Sequence, residues 1–264
     1  MAPSGSSPPP PATRRPHPWP LEASPPAPPG GGPLPLLLLL DRRDPLAVAQ
    51  PDALLATLST EERQRYATYR RRADQERFLV ARAALRQLLG HWLERPPAAV
   101  AIEAGPHGKP CCAGAPEFNL SHSGDLILLA FHGSGAVGVD VEQARPDLDW
   151  RPIACRVFPP AEAAALASLP AGEQPGAFLR AWCRLEARLK ARGEGLAGLE
   201  RLRQPEPGGA IAGSEPLGSE ALWDVRVSPG YAAAVAVAVA EAVAQGPAGG
   251  GGRGRSSQSS AVRG

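Results

Sequence analysis

Apolar and polar positions along the chain follow two alternating patterns, one typical of strands and one typical of helices. Short apolar runs predict buried strands at Pro35–Leu40, Leu126–Phe131 and Val137–Glu142. A helix is predicted from about Asp74 to Leu93, because its apolar residues recur at three- and four-residue steps. Ser59, followed three residues later by Glu62, has the form of a capping box and predicts the start of an earlier helix.

The second part of the chain repeats this order of elements. Helices are predicted from Pro160 to about Leu169 and from about Ala177 to Ala191, and glycines at 193 and 195 end the second one. Further strands are predicted at Val100–Glu103, Leu222–Val227 and Tyr231–Ala240, the last two around a Ser-Pro-Gly turn. The fold class is therefore α+β, with two similar halves that each pack helices on a small antiparallel-type sheet.

Composition sets the expected limits of the folded region. Residues 1–33 hold 13 of the 32 prolines, and residues 246–264 hold seven glycines. Such segments bury too little apolar surface to offset the entropy of ordering, so both are expected to be disordered tails. The two halves are assigned to residues 34–135 and 136–245.

Charge and hydropathy argue against two classes of partner. The net charge of +2 is too balanced to predict a nucleic-acid-binding surface. The leucine run at 36–40 is far shorter than the roughly 20 apolar residues that a membrane-spanning helix needs. Large size and four cysteines suit a reducing cytosol, so we expect a cytoplasmic protein.

The strand Val137–Glu142 carries two carboxylates on one face. Because strand side chains alternate, the valines face one way, while Gly138, Asp140 and Glu142 face the other. Two neighbouring carboxylates repel unless a cation neutralises them or one is protonated, and Mg²⁺ prefers carboxylate and phosphate oxygens. The alternative is an exposed face with two solvated acids, and this segment alone favours the alternative.

The helix near residue 186 supplies a third carboxylate. Trp182, Glu186 and Lys190 are four residues apart and form one stripe, next to an apolar stripe of Leu185 and Leu189. An acid close to the core would be explained if Glu186 were a third metal ligand and the neighbouring Lys190 bound a phosphate. The alternative is a surface Glu–Lys pair that contributes about 0.3–0.5 kcal/mol.

A polar segment precedes the strand at 126–131. It runs from Phe118 to Asp125 and is predicted to be a loop in which Ser121, His122 and Ser123 could donate hydrogen bonds to phosphate. A serine–histidine nucleophile is the rival interpretation. Adjacent residues do not readily form such a pair, and the chain has no Gly-x-Ser-x-Gly elbow.

Taken together, four motifs in this order resemble the Sfp-type 4'-phosphopantetheinyl transferases. They are Gly-Lys-Pro ending at 110, Phe-Asn-Leu-Ser-His-Ser ending at 123, Val-Gly-Val-Asp-Val-Glu ending at 142, and Trp-Cys-Arg-Leu-Glu-Ala-Arg-Leu-Lys ending at 190. The resemblance covers nearly all of 34–245. It implies a monomeric enzyme of two α+β halves that moves the 4'-phosphopantetheine arm of coenzyme A onto a serine of an acyl or peptidyl carrier protein, with Mg²⁺ as cofactor.

The resemblance also assigns roles residue by residue. Asp140, Glu142 and Glu186 match the magnesium ligands, and Glu186 is the favoured base for the carrier serine, so Asp140, Glu186 and Lys190 form the expected catalytic set. The positions expected to contact coenzyme A, with the last two as looser candidates for its nucleotide end, are Lys190, Lys109, Ser121, His122, Arg65, Arg82 and Arg86.

One residue departs from the family pattern. The family usually has lysine before the motif glutamate, and this chain has Leu185. The lysine could be dispensable, Arg184 or Arg188 could supply the missing charge, or activity could be low. Two other classes therefore stay open: a non-catalytic protein that binds coenzyme A or a carrier, and an arginine-rich nucleic-acid binder, against which the three acids argue.

Overall fold

The fold was analysed in a computed structural model, which describes residues 13–18, 23–199 and 220–238. The first half begins with two short strands and the longer β3. Its elements are β1 (Thr13–Arg14), β2 (His17–Pro18), β3 (Leu36–Asp41), α1 (Pro45–Ala49), α2 (Pro51–Leu55), α3 (Thr60–Thr68), α4 (Arg72–Trp92), β4 (Glu103–Ala104), β5 (Pro110–Cys111), β6 (Glu117–Ser123) and β7 (Leu126–His132).

The second half consists of one strand, three helices and a closing hairpin. Its elements are β8 (Ala136–Gln143), α5 (Arg151–Val157), α6 (Pro160–Ser168), α7 (Gln174–Arg192), β9 (Glu220–Val225) and β10 (Tyr231–Ala238). Gly193 ends α7 with a left-handed φ of 67°, which glycine adopts without steric cost.

The two halves share one strand topology, as predicted. In the first, β3 pairs with β7 and β7 with β6; in the second, β8 pairs with β10 and β10 with β9, and all four pairings are antiparallel. A long helix precedes each closing hairpin and packs on its sheet. The predicted α+β fold of two similar halves is therefore confirmed.

The core between the two sheets is built from the valine face of β8. Val137, Val139 and Val141 are fully buried against Leu128 of β7 and Val235 of β10. A separate apolar cluster lies between α4 and the β3–β7 pair. Within the residues described, none of the helices has the length and apolarity needed to cross a bilayer.

Three element predictions need correction. The segment predicted as a polar loop at 118–125 forms β6 up to Ser123, because its odd-numbered side chains bond to a neighbouring strand. The strand predicted at Val100–Glu103 is reduced to β4, which starts at Glu103 and follows a short 3₁₀ turn.

The third correction concerns the N-terminal tail. Within the predicted tail of residues 1–33, β1 pairs in parallel with β9 and β2 pairs in parallel with β3. These segments are ordered because the exposed edges of two sheets supply partners for their backbone groups. Residues 1–12, the whole of the predicted loop at 203–219 and the segment 239–264 lie outside the described residues.

Candidate functional site

The strand β8 presents its acidic face to α7. Gly138 lies directly beneath the helix, since a Cβ built on it would overlap the Ala187 carbonyl oxygen and the Ala191 amide nitrogen. The predicted alternation is therefore correct. The acidic face, however, is covered by a helix, so that Asp140 is buried and Glu142 is half-buried.

Asp140 is the most buried carboxylate of this face, at 2% exposure. Its Oδ1 accepts hydrogen bonds from Lys190 Nζ at 2.7 Å and from Ser121 Oγ at 2.9 Å. Its Oδ2 is buried and has no hydrogen-bond partner among the described residues. Burying a carboxylate oxygen without a partner is unfavourable, so Asp140 retains capacity for a further cation or donor.

Glu142 and Glu186 complete an acidic cluster with Asp140. Burial raises the pKa of Glu142 above its usual range; the hydrogen bond from Ser123 at 2.8 Å opposes this increase, and the charge of Asp140 adds to it. Burial also raises the pKa of Glu186, Lys190 opposes the change, and both Asp140 and Glu142 contribute to it. Asp140 is therefore close enough to raise the pKa of both glutamates, and Glu142 is close enough to raise that of Glu186.

No group of three or more His, Cys, Asp or Glu side chains in the described ranges is arranged so that it could hold a metal ion. In this arrangement Asp140 is bonded to Lys190 and Glu142 to Ser123. The donor set does suit a hard divalent cation, because all three groups are carboxylates and one buried oxygen lacks a partner.

Side chains of β6 join the two halves beside this cluster. Three odd-numbered residues of β6 accept hydrogen bonds from backbone amides of β8, which lies at the edge of the other sheet. The contacts run from Val139 to Asn119 Oδ1 at 3.0 Å, from Val141 to Ser121 Oγ at 3.3 Å and from Gln143 to Ser123 Oγ at 3.1 Å. We call this set of contacts the β6–β8 seam.

The sequence interpretation missed Asn119 and the seam role of Ser123. Polar residues at 119, 121 and 123 have the period of two that marks one face of a strand. That periodicity was the available signal, although it does not reveal which strand accepts the contacts.

A cleft of about 670 Å³ lies between the halves, and Lys190, which pairs with Asp140, lines it, whereas Asp140, Glu142 and Glu186 do not. Five of the residues predicted to contact coenzyme A line it, and four of them come from the first half. They are Arg65, Arg82, Lys109, His122 and Lys190.

The basic residues of the cleft differ in their environments. Arg65 lies over the ring of Phe78, with 5.6 Å from its guanidinium carbon to the ring centroid. Burial lowers the pKa of Lys109, and Glu117 opposes that change. Burial also lowers the pKa of His122, and the positive charges of nearby Arg77 and Lys190 add to the decrease, which favours a neutral imidazole.

Two predicted cleft residues do not line it. Ser121 is buried and bonds to Asp140 in the seam. Arg86 is only 3% exposed, pairs with Glu62 and donates to the carbonyl oxygens of Pro97 and Val100. The prediction that Arg86 reaches a nucleotide therefore needs correction, because its guanidinium is fully engaged within the first half. Arg82 lines the cleft but also pairs with Glu62.

Leu185 points away from the cleft. It is buried in an apolar cluster that includes Trp150 of the turn before α5 and Phe178 of α7. The proposed substitutes also face elsewhere, since Arg184 pairs with Asp224 and Arg188 with Glu220. Neither arginine replaces a charge in the cleft.

Comparison with known proteins gives matches to both halves. Residues 136–240 match the family model described as the 4'-phosphopantetheinyl transferase superfamily, and residues 47–134 match one described as 4'-phosphopantetheinyl transferase, N-terminal. The chain is 36% identical to the 4'-phosphopantetheinyl transferase HetI from Nostoc sp. over 159 residues, which cover 58% of this chain and 67% of HetI.

Two further relatives show similar coverage. The Bacillus subtilis 4'-phosphopantetheinyl transferase ffp is 31% identical over 162 residues, which cover 61% of this chain and 70% of ffp. The Synechocystis sp. protein slr0495 is 37% identical over 147 residues, which cover 54% of this chain and 60% of that protein. The chain thus spans less than two thirds of the length of some of the curated relatives that it matches.

Proposed function

Because the chain belongs to the 4'-phosphopantetheinyl transferase superfamily, we propose that it transfers the 4'-phosphopantetheine arm of coenzyme A to a serine of an acyl or peptidyl carrier protein. One observation carries this proposal: Lys190 lines a cleft together with Arg65 and Lys109, and it pairs with Asp140 in a cluster of one buried and two half-buried carboxylates. The reaction needs both features, because it binds a pyrophosphate and deprotonates a hydroxyl group.

The cleft binds coenzyme A through its charge. Arg65, Lys109 and Lys190 place positive charge along it, and His122 adds ring nitrogens that can exchange hydrogen bonds with phosphate oxygens. Arg82 is a weaker candidate, because two of its guanidinium nitrogens already donate to Glu62.

Glu186 is the proposed general base. Burial raises the pKa of Glu186, Lys190 opposes the increase and the two neighbouring carboxylates add to it, so its carboxylate is a stronger proton acceptor than that of an exposed glutamate. The serine Oγ forms a new bond to the β-phosphorus, the bond from that phosphorus to the bridging oxygen breaks, and 3',5'-ADP leaves with the bond's electron pair. The serine proton passes to Glu186.

Asp140, Glu142 and Glu186 are the proposed ligands of Mg²⁺. When bound, the ion would neutralise charge that develops on the pyrophosphate. Asp140 orients Lys190 through their ion pair, and Ser121 fixes the same carboxylate oxygen from the opposite half. These contacts hold the lysine at the base of the cleft for a phosphate.

The rival of a non-catalytic homologue was prompted by Leu185. Its burial among apolar side chains removes that reason, because the side chain at this position does not face the cleft.

We also infer a cytoplasmic monomer. Cys111, Cys112, Cys155 and Cys183 are all free thiols, as a reducing compartment would maintain them.

The test is the mass of a panel of apo-carrier proteins after incubation with coenzyme A and Mg²⁺. The wild type should add the phosphopantetheine arm to at least one carrier. Asp140→Ala and Glu186→Gln should reduce the rate by at least about 10²-fold, while Glu173→Gln, at the exposed start of the same helix, should leave it unchanged. Wild-type rates for both site variants would refute the assignment.

A further inference from the structure

The helix α7 lies on its sheet through small side chains. Cys183, Ala187 and Ala191 pack against alternate alanines of β10, which are Ala232, Ala234 and Ala236. Gly138 lets the helix backbone approach β8 closely. Such a smooth contact provides few ridges and grooves to fix the position of a helix along its axis.

Polar contacts lie on both sides of this small-residue interface between α7 and the sheet. On the β8 side, Lys190 pairs with Asp140, and Glu186 lies one turn earlier. On the β9 side, arginines recur at every fourth position of α7 and meet two acids on one face of β9. These five residues, which we call the arginine clamp, are Arg184, Arg188, Arg192, Glu220 and Asp224.

The geometry of the arginine clamp is specific. Arg184 forms a bidentate pair with Asp224, from Nε to Oδ1 at 2.8 Å and from Nη2 to Oδ2 at 2.7 Å. Glu220 Oε2 accepts from Arg188 Nε at 3.1 Å and from Arg192 Nη2 at 3.0 Å. The side chains of Arg188 and Glu220 are 2% and 3% exposed.

The buried Arg188–Glu220 pair is poorly explained by stability alone. Desolvation of its two charges roughly offsets their attraction, and apolar residues of similar volume often stabilise a protein as well or better. The Arg184–Asp224 pair is half-buried and bidentate, and a bidentate pair tolerates only one relative placement of its two groups. The arginine clamp is therefore well suited to fixing the axial position and rotation of α7.

We propose that the arginine clamp sets the register of α7 on the sheet and so positions Glu186 and Lys190 against Asp140. This inference rests on the proposed function, and it assigns these five residues as positioning residues that do not touch substrate. Arg184 and Asp224 are the most informative pair, because Arg184 lies half a turn before Glu186 on the opposite flank.

The experiment compares Arg184→Met, Asp224→Asn and the exchanged pair Arg184→Asp with Asp224→Arg. Each single variant should lower the kcat for carrier loading about tenfold, since small displacements of reacting groups reduce rates strongly, with the KM for carrier unchanged. The exchanged pair should recover kcat to within about threefold, because it restores attraction across the same gap. Arg180→Met is the matched control, an exposed arginine one turn earlier on α7.

Calorimetric titration of the same variants with coenzyme A separates this inference from the proposed function. The dissociation constant should rise severalfold in both single variants and recover in the exchanged pair, whether or not any carrier is loaded. Failure of the wild type to load a carrier would refute the proposed function, and the coenzyme A titration alone would then test the arginine clamp. The arginine-clamp proposal would be overturned if the folded single variants kept wild-type kcat and coenzyme A affinity. It would also be overturned if the exchanged pair failed to restore a kcat or an affinity that the single variants had lowered.

Discussion

The substitution Gly138→Ala tests the contact on which the whole site depends. The new methyl group would overlap backbone atoms of Ala187 and Ala191 and lie 2.7 Å from the Lys190 carbonyl carbon. Because these are helix backbone atoms, no side-chain rotation relieves the overlap, and α7 must move away by more than 1 Å to bring the contacts to the ordinary 3.4–4 Å. Lys190 Nζ, now 2.7 Å from Asp140 Oδ1, would move with it.

Two magnitudes follow from this displacement. Overpacking of a buried contact typically destabilises by about 1–3 kcal/mol, and the rigid partner places Gly138→Ala at the upper end. A 1 Å error in the reacting groups can lower the rate by about 10²-fold. We therefore expect the free energy of unfolding measured in urea to fall by about 3 kcal/mol and kcat/KM for carrier loading to fall by about 10²-fold.

The control for Gly138→Ala is Gly172→Ala. A Cβ at Gly172 would have no atom within 4 Å, so that variant should match the wild type in both assays. Urea unfolding and carrier loading are measured on the three proteins in parallel. A Gly138→Ala protein with wild-type stability and wild-type turnover would show that the close approach of α7 to β8 is incorrect.

Three other predictions concern the surrounding structure. Glu62→Gln should lower the free energy of unfolding by about 3–5 kcal/mol at pH 7, because it leaves the buried Arg86 without its counter-charge. Burial raises the pKa of Glu62, but pairing with the arginines outweighs burial and holds that pKa below its ordinary value of 4.5. The difference in free energy of unfolding between the wild type and Glu62→Gln, measured by urea titration, should therefore shrink as the pH falls below 4.5. Leu185→Lys should lower the melting temperature without raising carrier loading, because it buries an ammonium group in an apolar cluster, whereas Leu185→Met should be tolerated; a gain in loading would contradict this placement. Deletion of residues 1–18 should lower the melting temperature and promote association by exposing two sheet edges, whereas deletion of residues 1–12 alone should not; equal melting temperatures would contradict the pairing of β1 and β2.

Local periodicity was sufficient to predict the elements that carry the acids. Alternation in Val137–Glu142 placed Asp140 and Glu142 on one face, and four-residue spacing placed Glu186 beside Lys190. Each of these predictions depends only on the geometry of a single element, which the sequence encodes directly.

Predictions that depended on long-range partners were less successful. The sequence predicts a loop at 118–125 because no nearby residue offers a hydrogen-bond partner to its polar side chains. Their partners are backbone amides of β8, about 20 residues away. Arg86 looked available for a ligand because its partner Glu62 is on another helix. In both cases a polar side chain is satisfied by a distant residue, and neither composition nor periodicity identifies such a residue.

The shared topology of the halves does not give them equal roles. Strand β3 of the first half is nearly all leucine and carries a single acid at its end, where Asp41 pairs with Arg43. The equivalent strand β8 has glycine and two acids at alternate positions. Conversely, the described basic residues of the cleft lie mostly in the first half, and the seam joins the halves beside the acids. The duplicated fold therefore yields one cleft, because carboxylates from one half can serve a phosphate only where bases from the other half reach it.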